Sequence, residues 1–220
     1  MYFKHIVKTI QENGNPAHFI GGWALWLFLL KNSFYGDITL TDYGISKLDE
    51  KTWWGKVKLF GDFLGRFLST PFRAEIKKSD IAYAMSDFWF DSIPLILCKA
   101  KRKILYVGMT APTLMEIFKK SRGDVSYVCS LYYWLSQQIT FRWARFCKNL
   151  TLTYGHPDTR DYLLKFGFRA EQLVPVYNGI DIKTADSIPE QEKIYDVAWI
   201  GRIHPQKGIE DLVTIIRDLF

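Results

Sequence analysis

The chain has 220 residues, of which 48% are hydrophobic, 16% aromatic and 24% charged. This composition is typical of a folded protein of one or two domains and argues against disorder. The net charge is +6, distributed as +8 over residues 1–189 and −2 over residues 190–220. A basic first part suits nucleic acid, anionic lipid or a phosphorylated substrate, or only keeps the protein soluble.

The cysteines and the hydropathy exclude several further classes of protein. Cys98, Cys129 and Cys147 form no C-x-x-C pair and have no histidine at ligand spacing, so neither a zinc site nor a disulfide framework is predicted. The longest apolar run, residues 21–30, falls short of the roughly 18 residues that a spanning helix needs. The N-terminus lacks the pattern of a signal peptide. We therefore expect a cytoplasmic protein.

The first 79 residues give an irregular pattern. Apolar residues at helical spacing predict a helix that stops at Gly14, and short strands are predicted at 17–20 and 37–40. Residues 56–69 predict an amphipathic helix whose apolar side is formed by Val57, Phe60, Phe63, Leu64, Phe67 and Leu68.

From Ser79 onward, predicted strands alternate with predicted helices. The strands are expected at 80–84, 103–107, 150–154 and 174–177, and the helices at 86–97, 131–148 and 157–167. This alternation predicts an α/β fold with a doubly wound, Rossmann-like parallel sheet.

A polar segment at 184–193 is expected to be a linker between two domains, residues 1–183 and 194–220. The second begins with a predicted strand at 195–200 and a predicted helix at 207–219. A single strand and helix cannot bury both faces of a parallel sheet, and the first domain opens with a helix instead of a strand. The fold is thus expected to be incomplete at both ends, as a fragment or as a chain that a partner completes.

The loop from Gly201 to Gly208 is the part of the sequence best suited to binding a ligand. Gly201 would allow a sharp turn at the carboxyl end of a strand, where open α/β sheets bind their ligands. Arg202 and Lys207 place two cations near a helix N-terminus, where the helix dipole already favours anions. This combination suits a diphosphate, although an ordinary loop with solvated basic residues gives the same spacing.

The sequence of this loop, GRIHPQKGIEDL at 201–212, resembles the loop that opens the second domain of retaining glycosyltransferases of family 4. Three further segments resemble that family in the same order: DIAYAMSDFWFDSIPLIL at 80–97, LTLTYGHPDTRDYLLKFGF at 150–168 and LVPVYNGIDI at 173–182. The resemblance covers roughly residues 80–220. It implies the two-domain GT-B fold, with most of the acceptor domain and the start of the donor domain.

The resemblance implies transfer of a sugar, of the hexosyltransferase kind, from a nucleotide-sugar to a glycan or lipid-linked acceptor in polysaccharide synthesis. Arg202 and Lys207 would neutralise the leaving diphosphate without a metal or other cofactor, Gly201 would let the backbone approach it, and His204 would line the donor site. Asn178, Gly179 and Asp181 would shape the hinge at the cleft, although Asn-Gly is also a strong turn signal.

The sequence also departs from the family pattern. Many members have a histidine after the strand that corresponds to 104–107, whereas this chain has Gly108-Met109-Thr110, so no catalytic residue is assigned. The family's paired donor-site glutamates are not found in this sequence, and the chain alone is therefore expected to be inactive or nearly so. Asp87 is a candidate contact to the acceptor, but Ser86 or Asp87 would equally suit the N-cap of the following helix. His156 is expected to be a helix-entry residue.

Residues 51–73 suggest an alternative function of another class. Lys56, Lys58, Arg66 and Arg73 accompany a face rich in Phe and Leu, which suits a helix lying on an anionic membrane at the cytoplasmic side. A helix packed on a core with a solvated basic face has the same pattern. The alternative is thus a non-catalytic subunit that binds a membrane or a partner chain. No nucleic-acid-binding motif occurs, so nucleic acid is not expected as a partner.

Overall fold

The computed structural model describes residues 16–21, 37–40, 52–119, 127–177 and 208–219, together with isolated positions elsewhere. The chain divides into two compact units: Met1–Thr110 with Ser136–Asn178, and Ala111–Leu135 with Gly179–Phe220. The predicted first helix, the linker at 184–193 and the predicted strand at 195–200 lie outside the described residues or at isolated positions within them.

The described strands form two parallel sheets. Strands β1 (His18–Gly21) and β2 (Asp37–Leu40) pair with each other. The larger sheet has four strands in the order β3-β4-β5-β6, all of them parallel. Its strands are Ile81–Ala84 (β3), Arg102–Val107 (β4), Leu150–Tyr154 (β5) and Leu173–Pro175 (β6).

Seven helices are described. They are Trp53–Ser69 (α1), Ala74–Lys78 (α2), Trp89–Leu97 (α3), Leu114–Phe118 (α4), Tyr127–Ala144 (α5), Pro157–Phe166 (α6) and Ile209–Leu219 (α7). Short 3-10 turns at Thr70–Phe72 and Ala170–Gln172 precede α2 and β6.

The core lies between one face of the four-stranded sheet and three helices. Leu105 and Leu152 are paired on neighbouring strands and are fully buried. Leu95 from α3, Phe141 from α5 and Leu163 from α6 belong to the same core cluster. On the other face of the sheet, Ile104, Tyr106 and Thr151 are only half-buried. The described chain is thus an α/β fold with a four-stranded parallel sheet, consistent with the predicted class.

Several elements lie where the local sequence pattern predicts them. Strand β5 has the predicted bounds, and β1, β2, β3 and β4 lie within one residue of theirs. Helix α6 begins at Pro157 and ends at Gly167, whose φ of +102° is the left-handed conformation that glycine adopts without strain. His156 caps this helix by accepting a hydrogen bond from the backbone N–H of Asp158, so its predicted role at the helix entry is confirmed.

Other boundaries differ from the predictions. Helix α5 lies about one turn earlier than expected, and β6 begins and ends earlier than 174–177. Helices α2 and α4 were not predicted. Helix α4 begins with a capping box, in which Thr113 and Glu116 exchange hydrogen bonds, a signal that the sequence contains as T-x-x-E.

Helix α1 packs against α3 through aromatic side chains. The rings of Phe63 and Phe90 stack with centroids 4.4 Å apart, and Phe67 meets Trp89 edge to face at 5.0 Å. At the start of the helix, Thr52 Oγ1 accepts a hydrogen bond from the backbone N–H of Gly55. The helix is therefore attached to the domain through one side of its apolar face.

We expect Leu105→Ala to lower the free energy of unfolding by about 2–5 kcal/mol, because it opens a cavity in a fully buried core. The matched control is Leu97→Ala, at a side chain that is 50% exposed, which should cost less than about 1 kcal/mol. Urea denaturation of both variants measures the difference. Equal losses would contradict the assigned core.

Candidate functional site

The sequence-predicted donor residues cannot be compared with the structure. Gly201, Arg202, His204 and Lys207 lie outside the described residues, and so do Asn178, Gly179 and Asp181 of the predicted hinge. Asp87 is described, and it lies in the loop that follows the carboxyl end of β3. The site that the structure describes is therefore centred on Asp87.

Asp87 is buried, with 4% of its surface exposed. The side-chain amide of Gln137, on α5, donates one hydrogen bond to Asp87 Oδ2 and another to the backbone oxygen of Met109 at 2.7 Å. Both amide hydrogens of Gln137 are thereby used. One side chain from α5 thus holds together the loops that follow β3 and β4, at the carboxyl edge of the sheet.

Three hydroxyl groups extend this polar cluster along α3 and α5. Ser136 Oγ accepts a hydrogen bond from the backbone N–H of Trp89 at 2.8 Å, in the first turn of α3. The hydroxyls of Ser92 and Thr140 lie 2.6 Å apart, and Thr140 Oγ1 donates to the backbone oxygen of Asp87 at 3.2 Å. Ser92, Ser136, Gln137 and Thr140 are all buried, so their hydrogen bonds form away from water, where an unmade bond is costly.

The expectation that Ser86 or Asp87 caps α3 is wrong. The N-cap residue is Phe88, which makes no side-chain capping bond. Ser86 Oγ instead accepts from the backbone N–H of Phe88 at 3.1 Å, outside the helix, and the Asp87 carboxylate turns to Gln137. Long-range hydrogen bonds have replaced the local cap, which is why α3 begins three residues later than predicted.

This arrangement favours a positioning role for Asp87 over direct contact with an acceptor. Its carboxylate is enclosed by protein, whereas Met85, Met109 and Tyr177 at the same edge of the sheet are exposed. Sequence reasoning missed Gln137, Ser136 and Thr140. The available signal was their helical spacing within a predominantly aromatic and aliphatic helix, which places polar groups on one side of α5.

The opposite, amino edge of the sheet is closed by structural contacts. Asn149 Nδ2 donates to the backbone oxygens of Ala100 and Lys101, both at 3.0 Å. Buried Lys103 donates to the backbone oxygen of Ile96 at 2.6 Å. The hydrogen bond and positive charge of Lys101 lower the pKa of the exposed Asp80 carboxyl. The described contacts at this edge are thus structural, whereas open α/β sheets in general bind their ligands at the carboxyl edge.

In the second unit, the helix that follows the predicted diphosphate loop is present. Helix α7 begins at Ile209, after Gly208 in a left-handed conformation with φ +66°. Its first turn carries Glu210 and Asp211, which already complement the positive end of the helix dipole. Attraction of a diphosphate here would have to come mainly from the two cations of the loop.

Within the described ranges, no group of three or more His, Cys, Asp or Glu side chains is placed to hold a metal ion. Among the described helices, none is both long and apolar enough to cross a bilayer. Comparisons of the chain with protein-family models, with curated proteins and with solved structures gave no match. A function for the chain is therefore inferred from its residues alone.

We expect Gln137→Leu to destabilise the chain by about 3 kcal/mol, because it removes one hydrogen bond to a buried carboxylate and one to a backbone oxygen. The adjacent Gln138 is a matched control, since its one bond, to the Tyr162 hydroxyl, is long at 3.4 Å. Gln138→Leu should cost less than about 1 kcal/mol. Chemical denaturation measures both values.

A double variant distinguishes the effect of the Asp87 charge on stability from the effect of packing. Adding Asp87→Asn to Gln137→Leu should recover part of the lost stability, because the group left at that position is then neutral. No recovery, or a Gln138→Leu variant as unstable as Gln137→Leu, would contradict a central role for this pair.

Proposed function

We propose that the chain belongs to a nucleotide-sugar-dependent glycosyltransferase that retains the anomeric configuration and has the GT-B arrangement of two Rossmann-like domains. The observation that carries the proposal is the sequence Gly201-Arg-Ile-His-Pro-Gln-Lys-Gly208, followed directly by helix α7. In this loop, Gly201 allows a sharp turn of the backbone, and Arg202 and Lys207 supply two cations of different geometry. A planar guanidinium and a flexible ammonium together suit a diphosphate leaving group.

The four-stranded parallel sheet supports the proposal. A doubly wound acceptor domain would contain a parallel sheet of this kind. Its acceptor would lie at the carboxyl edge, against the loops that Gln137 holds in place. The acceptor class that we propose is a glycan or a lipid-linked saccharide, used at the cytoplasmic face of the membrane.

In the proposed reaction, the protein's part is electrostatic. As the bond between the sugar and the diphosphate breaks, negative charge develops on the leaving oxygen, and Arg202 and Lys207 would stabilise it as fixed cations. His204 would lie beside the donor, and Asn178, Gly179 and Asp181 would form the hinge between the domains. We assign no residue to acid, base or nucleophile chemistry.

A second function, that of a non-catalytic binding subunit, is favoured by a separate observation. Helix α5 exposes Leu135, Ile139 and Trp143, which share one side of the helix. Exposed apolar stripes of this kind commonly mark contact surfaces. A subunit of this class would bind its partner or a membrane and would show no affinity for nucleotides.

Nucleotide binding separates the two functions. We expect the purified 220-residue chain to bind uridine, adenosine or guanosine diphosphate, and Arg202→Ala or Lys207→Ala to weaken that binding by about tenfold to a hundredfold, because each removes a charge-assisted hydrogen bond. Isothermal titration calorimetry with the three nucleotides gives the dissociation constants. Binding is the readout because no catalytic residue is assigned.

The matched control is Arg217→Ala, which removes an exposed arginine near the other end of α7, where it pairs with Asp218 at 3.3 Å. This variant should bind like the unaltered chain. If none of the three nucleotides binds, or if Arg217→Ala weakens binding as much as Lys207→Ala does, the glycosyltransferase proposal is wrong.

A further inference from the structure

Helix α1 has a second apolar side, which faces away from the protein. Phe63 and Phe67 contact α3, whereas the neighbouring stripe of the helix is exposed. The members of this stripe recur every three or four residues and therefore share one face of the helix: Trp53, Val57, Phe60, Leu64 and Leu68. Phe72, in the 3-10 turn after the helix, is also exposed. Packing on α3 thus accounts for only part of the apolar surface of α1.

The exposed side chains include large aromatic groups at both ends of this segment. Trp53 is 74% exposed, Trp54 72% and Phe72 73%, values that are unusual for such side chains in a folded protein. Tryptophan is the residue that most favours the boundary between lipid headgroups and acyl chains. An aqueous surface would leave these rings in water, whereas a bilayer interface would bury them.

The positive charge near this face indicates that a complementary surface would be anionic. Residues 51–78 contain seven basic and two acidic side chains, hence a net charge of +5 against +6 for the whole chain. Among them, Lys58, Lys77 and Lys78 are exposed, and the first turn of α1 holds no acidic residue. Nearly all of the chain's net positive charge thus falls in the segment of sequence that contains the exposed aromatic stripe.

We propose that the outer face of α1, continued by Phe72, is a docking surface for an anionic lipid bilayer. The helix lies in the plane of the interface, with Trp53, Phe60 and Leu64 inserted among the headgroups. Phe63 and Phe67 keep it attached to α3 at the same time. The lysines of α2 reach anionic headgroups at the level of the surface. This inference is independent of whether the chain transfers a sugar.

Sedimentation with vesicles tests the proposal on the full chain. We expect the protein to sediment with phosphatidylcholine vesicles that contain phosphatidylglycerol and to remain in solution with phosphatidylcholine alone. Raising the salt concentration from 0.1 to 1 M should release it, because the screening length falls from about 10 Å to about 3 Å. Failure to sediment with the anionic vesicles at low salt would overturn the proposal.

Two paired variants locate the binding face. Phe60→Glu with Leu64→Glu should reduce the partition coefficient at least about tenfold, because it places carboxylates where the side chains insert. Its control, Val213→Glu with Ile216→Glu, makes the same change on exposed residues of α7 and should bind normally. Circular dichroism confirms that both variants are folded. Equal loss in the two variants, or no loss in the first, would overturn the assignment to α1.

A second pair tests the charge. Lys77→Glu with Lys78→Glu should weaken binding by about 25-fold or more, since each basic residue at an anionic surface contributes about fivefold. The control is Lys148→Glu with Lys165→Glu, which changes the net charge equally at exposed positions elsewhere. If both pairs weaken binding equally, general charge attraction and not this face binds the membrane.

Quenching of tryptophan fluorescence by brominated lipid gives an independent readout of insertion. The unaltered chain should be quenched by anionic vesicles, and Trp53→Phe with Trp54→Phe should remove a large part of the quenching per vesicle-bound protein. Quenching that is unchanged in this variant would contradict insertion of the two tryptophans. Light scattering without lipid tests the other occupant of the face, a second copy of the chain. A dimer that Phe60→Glu with Leu64→Glu dissociates, without vesicle binding by the unaltered chain, would replace the membrane by a dimer interface.

Discussion

The contact between Gln137 and Asp87 constrains much of what lies around it. A carboxylate and an amide that are both enclosed by protein must keep their hydrogen bonds, because the cost of an unmade bond rises as water is excluded. Helix α5 is therefore fixed in its rotation about its own axis, with its polar middle turned inward. Leu135, Ile139 and Trp143 lie on a neighbouring face of the same helix and are exposed. Helix α5 thus combines a buried polar cluster with an exposed apolar stripe.

Helix α1 and helix α5 expose apolar surface for different reasons. In α1, aromatic and aliphatic residues cover more of the helix surface than α3 can bury. Phe63 and Phe67 therefore contact α3, and the other apolar side chains named above are exposed. In α5, hydroxyl and amide groups share the buried side with Phe141 and Ala144, while other apolar residues are exposed. Neither pattern corresponds to the simple rule that the apolar side of a helix faces the core. Both surfaces belong to the part of the chain that the proposed function assigns to the acceptor.

Sequence reasoning succeeded where the signal was local and failed where it was distant. Strand β5 is bounded by Asn149 and Gly155, and α6 by Pro157 and Gly167, so turn and cap residues mark the ends of both elements in the sequence. The start of α3 was misplaced because Ser86 and Asp87 have the right chemistry for a cap but make other bonds. Gln137 lies 50 residues from Asp87, and no short pattern connects them. The class of fold follows from alternation, whereas the cluster at the sheet edge depends on packing that a single sequence does not display.

The order of the strands also bears on how the domain is made. Strands β3, β4, β5 and β6 are neighbours in space in the same order as along the chain. Each strand that emerges during synthesis can therefore add to an edge that is already formed, without waiting for a later segment to be inserted between them. Because long-range pairing slows folding and exposes sheet edges, this sequential layout favours assembly unit by unit as the polypeptide leaves the ribosome. Helix α5 follows β4 in the chain, so Gln137 is synthesised after both of the loops that it contacts.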